Sequence, residues 1–190
     1  MYLFGYGSLI NLNSAQKSFK REISYKDLIP VKIKGLKKVW NAIETVDFDD
    51  KKEVSTVFLN LQKDENSYAN GVVIKITKEE LELLKLREKN YSNIVINKED
   101  VTNVNLDEDI ITFMTTNEEK IAKKGDENCV IASKYIDILT NSFENYDEEF
   151  VKEYKQQTLS DFPFELKEGI YKFSDPIQNK LAKEGVNEQK

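Results

Sequence analysis

Met1-Tyr-Leu-Phe-Gly-Tyr-Gly-Ser-Leu-Ile10 runs a hydrophobic strand directly into a turn made of Gly5, Tyr6, Gly7 and Ser8. Glycine lets another group come close to the backbone, so a Gly-x-Gly-Ser turn at a strand end can aim successive N–H groups at an anion or a carbonyl oxygen. The same residues also suit an ordinary strand-to-loop turn. Two specific alternatives fail: Gly5-x-Gly7 lacks the third glycine of a dinucleotide fingerprint, and no Gly-Lys-Ser or Gly-Lys-Thr completes a phosphate loop.

Outward from this turn the periodicity alternates between sheet and helix. Ile10 to Lys20 reads as a short helix or loop. Leu28 to Gly35 alternates apolar and polar positions, and Lys37 to Ala42 continues the strand through Val39 and Trp40. Asp47 to Glu53 is a charged turn, Val54 to Leu61 a strand, and Gln62 to Ser67 a polar hairpin loop returning at Tyr68. Gly71 to Ile76 is a nearly continuous apolar strand, expected to be central. Thr77-Lys-Glu-Glu80 is a capping box, opening a helix that runs to about Lys89 and closes at Asn90. Tyr91 to Ile96 and Asp109 to Met114 predict two more strands, and Ile131 to Phe143 and Asp147 to Thr158 two more helices. Strands early and helices late predict one α+β domain over 1–179, its mainly antiparallel sheet curled into a small β-barrel with flanking helices. Residues 180–190 read as a charged, frayed tail.

Composition narrows the chemistry. A length of 190 residues suits a single domain, and a net charge of −6 with interleaved signs argues against a nucleic-acid surface. The basic segment Lys32 to Lys38 alternates with Val31, Ile33 and Leu36, so its lysines are expected on the wet face of a strand. No apolar run reaches the roughly 20 residues of a membrane span, and the opening lacks a signal-peptide pattern, so a cytoplasmic protein is expected. Cys129 is the only cysteine, which excludes an intrachain disulfide and cysteine-built metal sites; it reads as a small buried apolar residue. There is no histidine, which removes imidazole triads and the usual zinc hydrolase sites. Asp47, Asp49 and Asp50 lack the spacing of a calcium loop and read as a solvated turn.

Proton transfer near neutral pH then falls to a carboxylate, a lysine, a tyrosine or the amino terminus. Glu88 stands out, because helical spacing puts it on one stripe with Leu81 and Leu84. A carboxylate on an apolar face is costly to ionise, which raises its pKa toward the range of a general base. The alternative is a solvated helix-end glutamate paired with a neighbouring cation.

Phe4-Gly-Tyr-Gly-Ser-Leu9, Leu86-Arg-Glu-Lys-Asn-Tyr91 and Ala132-Ser-Lys-Tyr135 occur in that order and together span most of residues 1–158. They resemble the Tyr-Gly-Ser loop, the catalytic Glu segment and the Pro-Ser-x-x-Tyr element of the γ-glutamylcyclotransferase-like family, the second being closest to the Arg-Glu form of its ChaC-type branch. The resemblance implies an α+β fold around a small β-barrel and an acyl transfer within the substrate. The α-amine of a γ-glutamyl group attacks its own γ-carbonyl, giving 5-oxoproline and releasing an amine, amino acid or peptide. No metal or cofactor is implied. Glu88 would be the general acid/base; backbone N–H groups around Gly7, Ser8 and Leu9 would hold the glutamyl moiety, with Tyr6 and Tyr135 shaping the pocket. Ser8 is then a binder and not a nucleophile. Only two residues separate Glu88 from Tyr91, where several members carry a longer insertion; Ala132 replaces a frequent Pro and Lys38 a frequent Arg. The leaving group stays open between glutathione, γ-glutamyl amino acids and γ-glutamyl amines, including a deprotection step in a specialised pathway. So does a non-catalytic binding module, and the oligomeric state is undetermined.

Overall fold

The computed structural model describes residues 1–88 and 90–185. Its elements in chain order are β1 (Tyr2–Gly5), α1 (Leu12–Gln16), β2 (Ile29–Phe48), β3 (Val54–Lys75), α2 (Lys78–Arg87), β4 (Ser92–Ile96), β5 (Ile110–Met114), β6 (Cys129–Ala132), α3 (Ser133–Thr140), α4 (Glu148–Thr158), β7 (Glu165–Lys167), β8 (Tyr171–Phe173) and α5 (Pro176–Glu184). The strands form one mixed sheet in the order β4-β5-β1-β3-β2-β8, with β6 pairing both β3 and β7. The α+β class expected from the strand and helix pattern is the class observed.

The long ladder of β2 against β3 organises everything else. It runs antiparallel from Ile29 opposite Val73 to Val46 opposite Val54. Both strands outlast any single neighbour, so each edge takes several short partners. β3 pairs with β1 near its C-terminal end and with β6 near its start, while β2 takes β8 at Val46 to Phe48. Isolated bridges from Val101 to Ile33 and from Ile121 to Ala42 bring the segments after β4 and β5 back onto β2. These bridges lie outside the named strands, whose ladders form an open path from β4 to β8.

Several local expectations are corrected. Gln62 to Ser67 does not reverse the chain: β3 continues through it, and the reversal lies at residues 49–53. The polar residues are taken up in a bulge, where Lys63 pairs with Leu36 and Tyr68 with Lys34, opposite Gly35 at φ +79°. Glycine accepts that conformation without the Cβ penalty, and the bulge moves the inward-facing set on β2 from Val31 and Ile33 to Leu36, Lys38, Trp40, Ala42, Glu44 and Val46. Lys38 is consequently not on the wet face. It is 6% exposed, bonded to Asn70 Oδ1 at 2.6 Å, with its ammonium 3.4 Å from the ring centre of Tyr154. The helix expected from Ile131 begins instead at Ser133, after the strand β6, in which Cys129 is buried. Residues 180–184, expected in a frayed tail, complete α5, where Leu181 is buried. Residues 186–190 and Lys89 lie outside the described residues. Among the described residues no helix is long and apolar enough to cross a membrane.

Close packing of β1 on β3 gives a stability test. A Cβ added at Gly71 would stand 2.5 Å from the Gly5 carbonyl oxygen and 2.7 Å from the Phe4 ring. Backbone cannot swing aside as a flexible side chain can, so Gly71→Ala is expected to cost about 1–3 kcal/mol. Urea denaturation of the two proteins measures it, and equal stability would refute the packing described.

Candidate functional site

The Gly5 to Leu9 turn is set by what surrounds it. A Cβ at Gly5 would meet Leu9 Cβ at 2.5 Å, and one at Gly7 would meet Tyr135 Oη at 2.5 Å, so both positions are too tight for a side chain. The carbonyls of the turn are engaged by the protein. Tyr154 Oη donates to Tyr6 O at 2.6 Å, Ile10 N–H to Gly7 O at 3.1 Å, and Asn11 N–H to Ser8 O at 3.0 Å. Just before the turn, Thr112 Oγ1 donates to Phe4 O at 3.1 Å. The N–H groups of Gly7 and Leu9 have no backbone acceptor among the described residues.

α2 delivers Glu88 to the same place. Its start is the reciprocal Thr77 and Glu80 capping box, with Glu80 N–H donating to Thr77 Oγ1 at 3.2 Å and Thr77 N–H to Glu80 Oε2 at 2.9 Å. Leu81 and Leu84 bury the inner stripe. The helix ends on Arg87, and Glu88 is its C-cap, donating its N–H to Leu84 O and accepting from Tyr91 N–H, both at 2.8 Å. The Glu88 side chain retains 26% exposure, and its Oε1 is 3.4 Å from Arg87 Nε. Arg87 is itself held by donating to Ser18 Oγ at 2.6 Å. Burial pushes the Glu88 carboxyl above the ordinary range; Arg87 opposes the rise and the nearby Glu44 carboxylate adds to it.

Between these elements lies a cavity of about 720 Å³, within the range of small-molecule sites. Tyr6, Gly7, Ser8, Leu9, Glu88 and Tyr135 all line it, so the six residues singled out by sequence converge on one space. Tyr135 is locked by edge-on contacts with Phe58 at 4.9 Å and Trp40 at 5.9 Å between ring centres. Its phenol is held far above its ordinary pKa by burial, so it stays neutral and can donate. Tyr6 lines the cavity with its ring while its hydroxyl is committed to Phe113 O at 2.8 Å.

Other contributors were not singled out by sequence. Arg87 and Tyr91 flank Glu88 within the stretch already quoted, and both line the cavity. Tyr154 falls on the apolar stripe of α4, where spacing marks it as core and gives no sign of its bond to the turn. β8 and α5 close the far side with Tyr171, Lys172, Asn179 and Lys183, and no periodicity in those few residues announces that wall. Among the described residues no cluster of three His, Cys, Asp or Glu could hold a metal. Asp47 accepts from Glu53 N–H and Ser174 Oγ, and Asp50 pairs with Lys167 at 2.7 Å, so both serve the β2 to β3 turn and its neighbours.

A family model described as ChaC-like protein matches residues 1–162. Solved structures share the fold, among them the following three. One named γ-glutamyl cyclotransferase superposes with TM-score 0.56 at 14% identity, covering 95% of this chain and 97% of its own. An uncharacterised protein from Homo sapiens gives 0.57 at 16%, covering 96% and 98%. YkqA from Bacillus subtilis gives 0.54 at 21%, covering 84% of this chain and 54% of YkqA. No curated protein matches the chain in sequence.

The contact of Gly7 with Tyr135 can be isolated by a double-mutant cycle. The next atom a Gly7 Cβ would meet is Tyr135 Cζ at 3.8 Å, an ordinary contact. Gly7→Ala should therefore cost about 1–3 kcal/mol in the native background and much less alongside Tyr135→Phe. Additive losses in chemical denaturation would show that the turn and the phenol are not in the contact described.

Proposed function

The chain belongs to the ChaC-like family of γ-glutamylcyclotransferase-type enzymes, and we propose that it converts a γ-glutamyl substrate to 5-oxoproline with Glu88 moving the protons. The observation that carries this reading is the shared cavity, onto which both a half-buried carboxylate and the Gly7 and Leu9 turn open.

The reaction needs little beyond what these residues supply. The Glu88 carboxylate takes a proton from the substrate α-ammonium, freeing the amine lone pair to bond to the γ-carbon. The bond from that carbon to the leaving nitrogen then breaks as Glu88 returns that proton to it, and the second proton shed by the attacking nitrogen passes through Glu88 to the released amine, which departs as an ammonium. Substrate thus divides into 5-oxoproline and an amine-bearing product, with no water consumed. A carboxylate whose pKa burial has raised is better matched to an amine proton than a solvated one. The Gly7 and Leu9 amides suit the glutamyl carboxylate or the oxygen on which charge develops, and their rigid mounting limits the reorganisation needed in the reaction. Tyr6 and Tyr135 shape the glutamyl pocket, and Ser8 contributes as a binding group. Holding amine and carbonyl in near-attack geometry supplies much of the remaining rate.

Lys17, Lys134, Lys172 and Lys183 all line the cavity, although the chain as a whole is acidic. That charge favours a leaving portion bearing a carboxylate, so γ-glutamyl amino acids and peptides, glutathione among them, are better candidates than γ-glutamyl amines. A cytoplasmic setting is part of the same reading.

Release of 5-oxoproline from a panel of γ-glutamyl amino acids, γ-glutamyl amines and glutathione tests the assignment. Glu88→Gln is expected to lower kcat by about 10²-fold or more, in keeping with general acid–base contributions. No release from any member, or equal release by the variant, would refute the proposal. For the native enzyme kcat/KM should fall as pH drops through the Glu88 pKa, with the acid limb above the ordinary carboxylate range near roughly pH 4 to 4.5.

The same variant has a stability signature. Because the folded pKa of Glu88 is raised, the folded state binds its proton more tightly than the unfolded chain, and stability declines as pH rises between the unfolded and folded values. Glutamine mimics the neutral acid and removes that penalty. Glu88→Gln should match or exceed the native Tm at pH 7, and any gain should vanish below about pH 4. A clear loss of Tm at pH 7 would mean that the charged carboxylate stabilises the fold.

A further inference from the structure

Glu44 is a second carboxylate beside the site, and the mechanism above does not use it. The bulge at Gly35 turns it inward on β2, where it is 5% exposed. A buried carboxylate must be paired and hydrogen-bonded to be tolerated, and both conditions are met by groups from different parts of the chain. Lys120 Nζ stands 3.2 Å from Glu44 Oε2. The Lys120 segment is fastened to β2 by the bridge of Ile121 to Ala42 and by Ala122 N–H donating to Asn41 O at 2.8 Å. From the other side Asn90 Nδ2 straddles the carboxylate, at 3.3 Å from Oε1 and 3.4 Å from Oε2.

Asn90 lies in the short turn between Glu88 and Tyr91. Tyr91 N–H donates to Glu88 O within that turn, and the Asn90 side chain ties it to the sheet. We propose that Glu44 is a positioning residue for Glu88: its carboxylate, gripped by Lys120, anchors the turn through Asn90 and sets a negative charge behind the catalytic group. The role given to Glu88 rests on the function proposed above, whereas the anchor and the charge are properties of the fold.

The groups facing Glu88 come from each neighbouring element. Arg87 at the end of α2 attracts its negative form, and Glu44 on β2 repels it. Tyr6 from the opening turn, Tyr91 and Tyr135 from α3 surround it as neutral phenols, each held above its ordinary pKa mainly by burial. Glu44 is thus the anionic counterweight to Arg87, and Lys120 moderates it.

Titration of the Glu88 carboxyl by ¹³C NMR on the full-length protein, labelled in glutamate and assigned through Glu88→Gln, tests this without requiring turnover. Glu44→Gln keeps an oxygen for Asn90 and removes the charge, so the Glu88 midpoint should fall by about 0.5–1 unit. The acid limb of kcat/KM should move the same way. Lys120→Met unmasks Glu44 and should move the midpoint in the opposite direction, upward. Asn90→Ala releases the turn and leaves the charge, so kcat should fall by roughly tenfold with the midpoint unmoved. A Glu88 midpoint unchanged in Glu44→Gln would overturn the proposal. Should that variant fail to fold, a midpoint that does not rise in Lys120→Met would overturn it equally. A native protein that releases no 5-oxoproline defeats the proposed reaction, while these titrations still decide the role of Glu44.

Discussion

A turn that offers N–H groups to a ligand works only if its carbonyl oxygens are occupied elsewhere, since an unpaired carbonyl beside the ligand would repel the same negative charge that the amides attract. Here the Tyr154 hydroxyl carries much of that burden, holding the Tyr6 carbonyl at 2.6 Å from a fully buried position on α4. The succeeding carbonyls of Gly7 and Ser8 are drawn into the 3-10 turn that follows. The geometry of the first ten residues thus depends on a helix about 150 residues later, and that helix is tied to the sheet through Trp40 Nε1 donating to Thr158 O at 2.8 Å. Site and core are one packing problem.

The second constraint is electrostatic. Under the proposed function, with no histidine in the chain, Glu88 would be prepared for proton transfer by its partial withdrawal from water at the end of α2, where the C-terminal dipole also disfavours negative charge. Arg87 opposes the rise in proton affinity that this withdrawal causes. Opposed charges on a partly buried acid give finer control of proton affinity than desolvation alone.

Local signals carried much of this into the sequence. The capping box at Thr77 set the phase of α2, and that phase placed Glu88 on the stripe of Leu81 and Leu84. Glycines 5 and 7 marked a turn at the strand end, and the structure shows the close approach of Leu9 and Tyr135 that both positions accommodate. Legibility failed wherever the partner was remote. Gln62 to Ser67 had the composition of a hairpin loop, but whether a polar segment reverses the chain or bulges out depends on what lies opposite, and that is Gly35. Lys38 read as exposed because alternation on β2 was continued through the shift that Gly35 introduces. β8 and α5 are too short, and too dependent on β2 and the opening turn, to announce themselves by periodicity.

The cavity accordingly has two parts with different origins. The turn, Glu88 and Tyr135 all fall within residues 1–162, the span shared with the ChaC-like family. The opposite wall comes from β8 and α5, beyond that span, and is tied down by Lys17 Nζ donating to Ala182 O at 3.0 Å and by Gly185 packed on the Lys17 backbone. In the reaction proposed for this site, changes in that wall would alter what lies beyond the γ-carbonyl without disturbing the turn or the placement of Glu88. A site built this way separates the requirements of chemistry, which demand rigid placement of a few groups, from those of leaving-group recognition, which demand only shape and charge at a distance. In that proposal Lys172 and Lys183, which line the cavity, would meet the second requirement from elements that the first does not use.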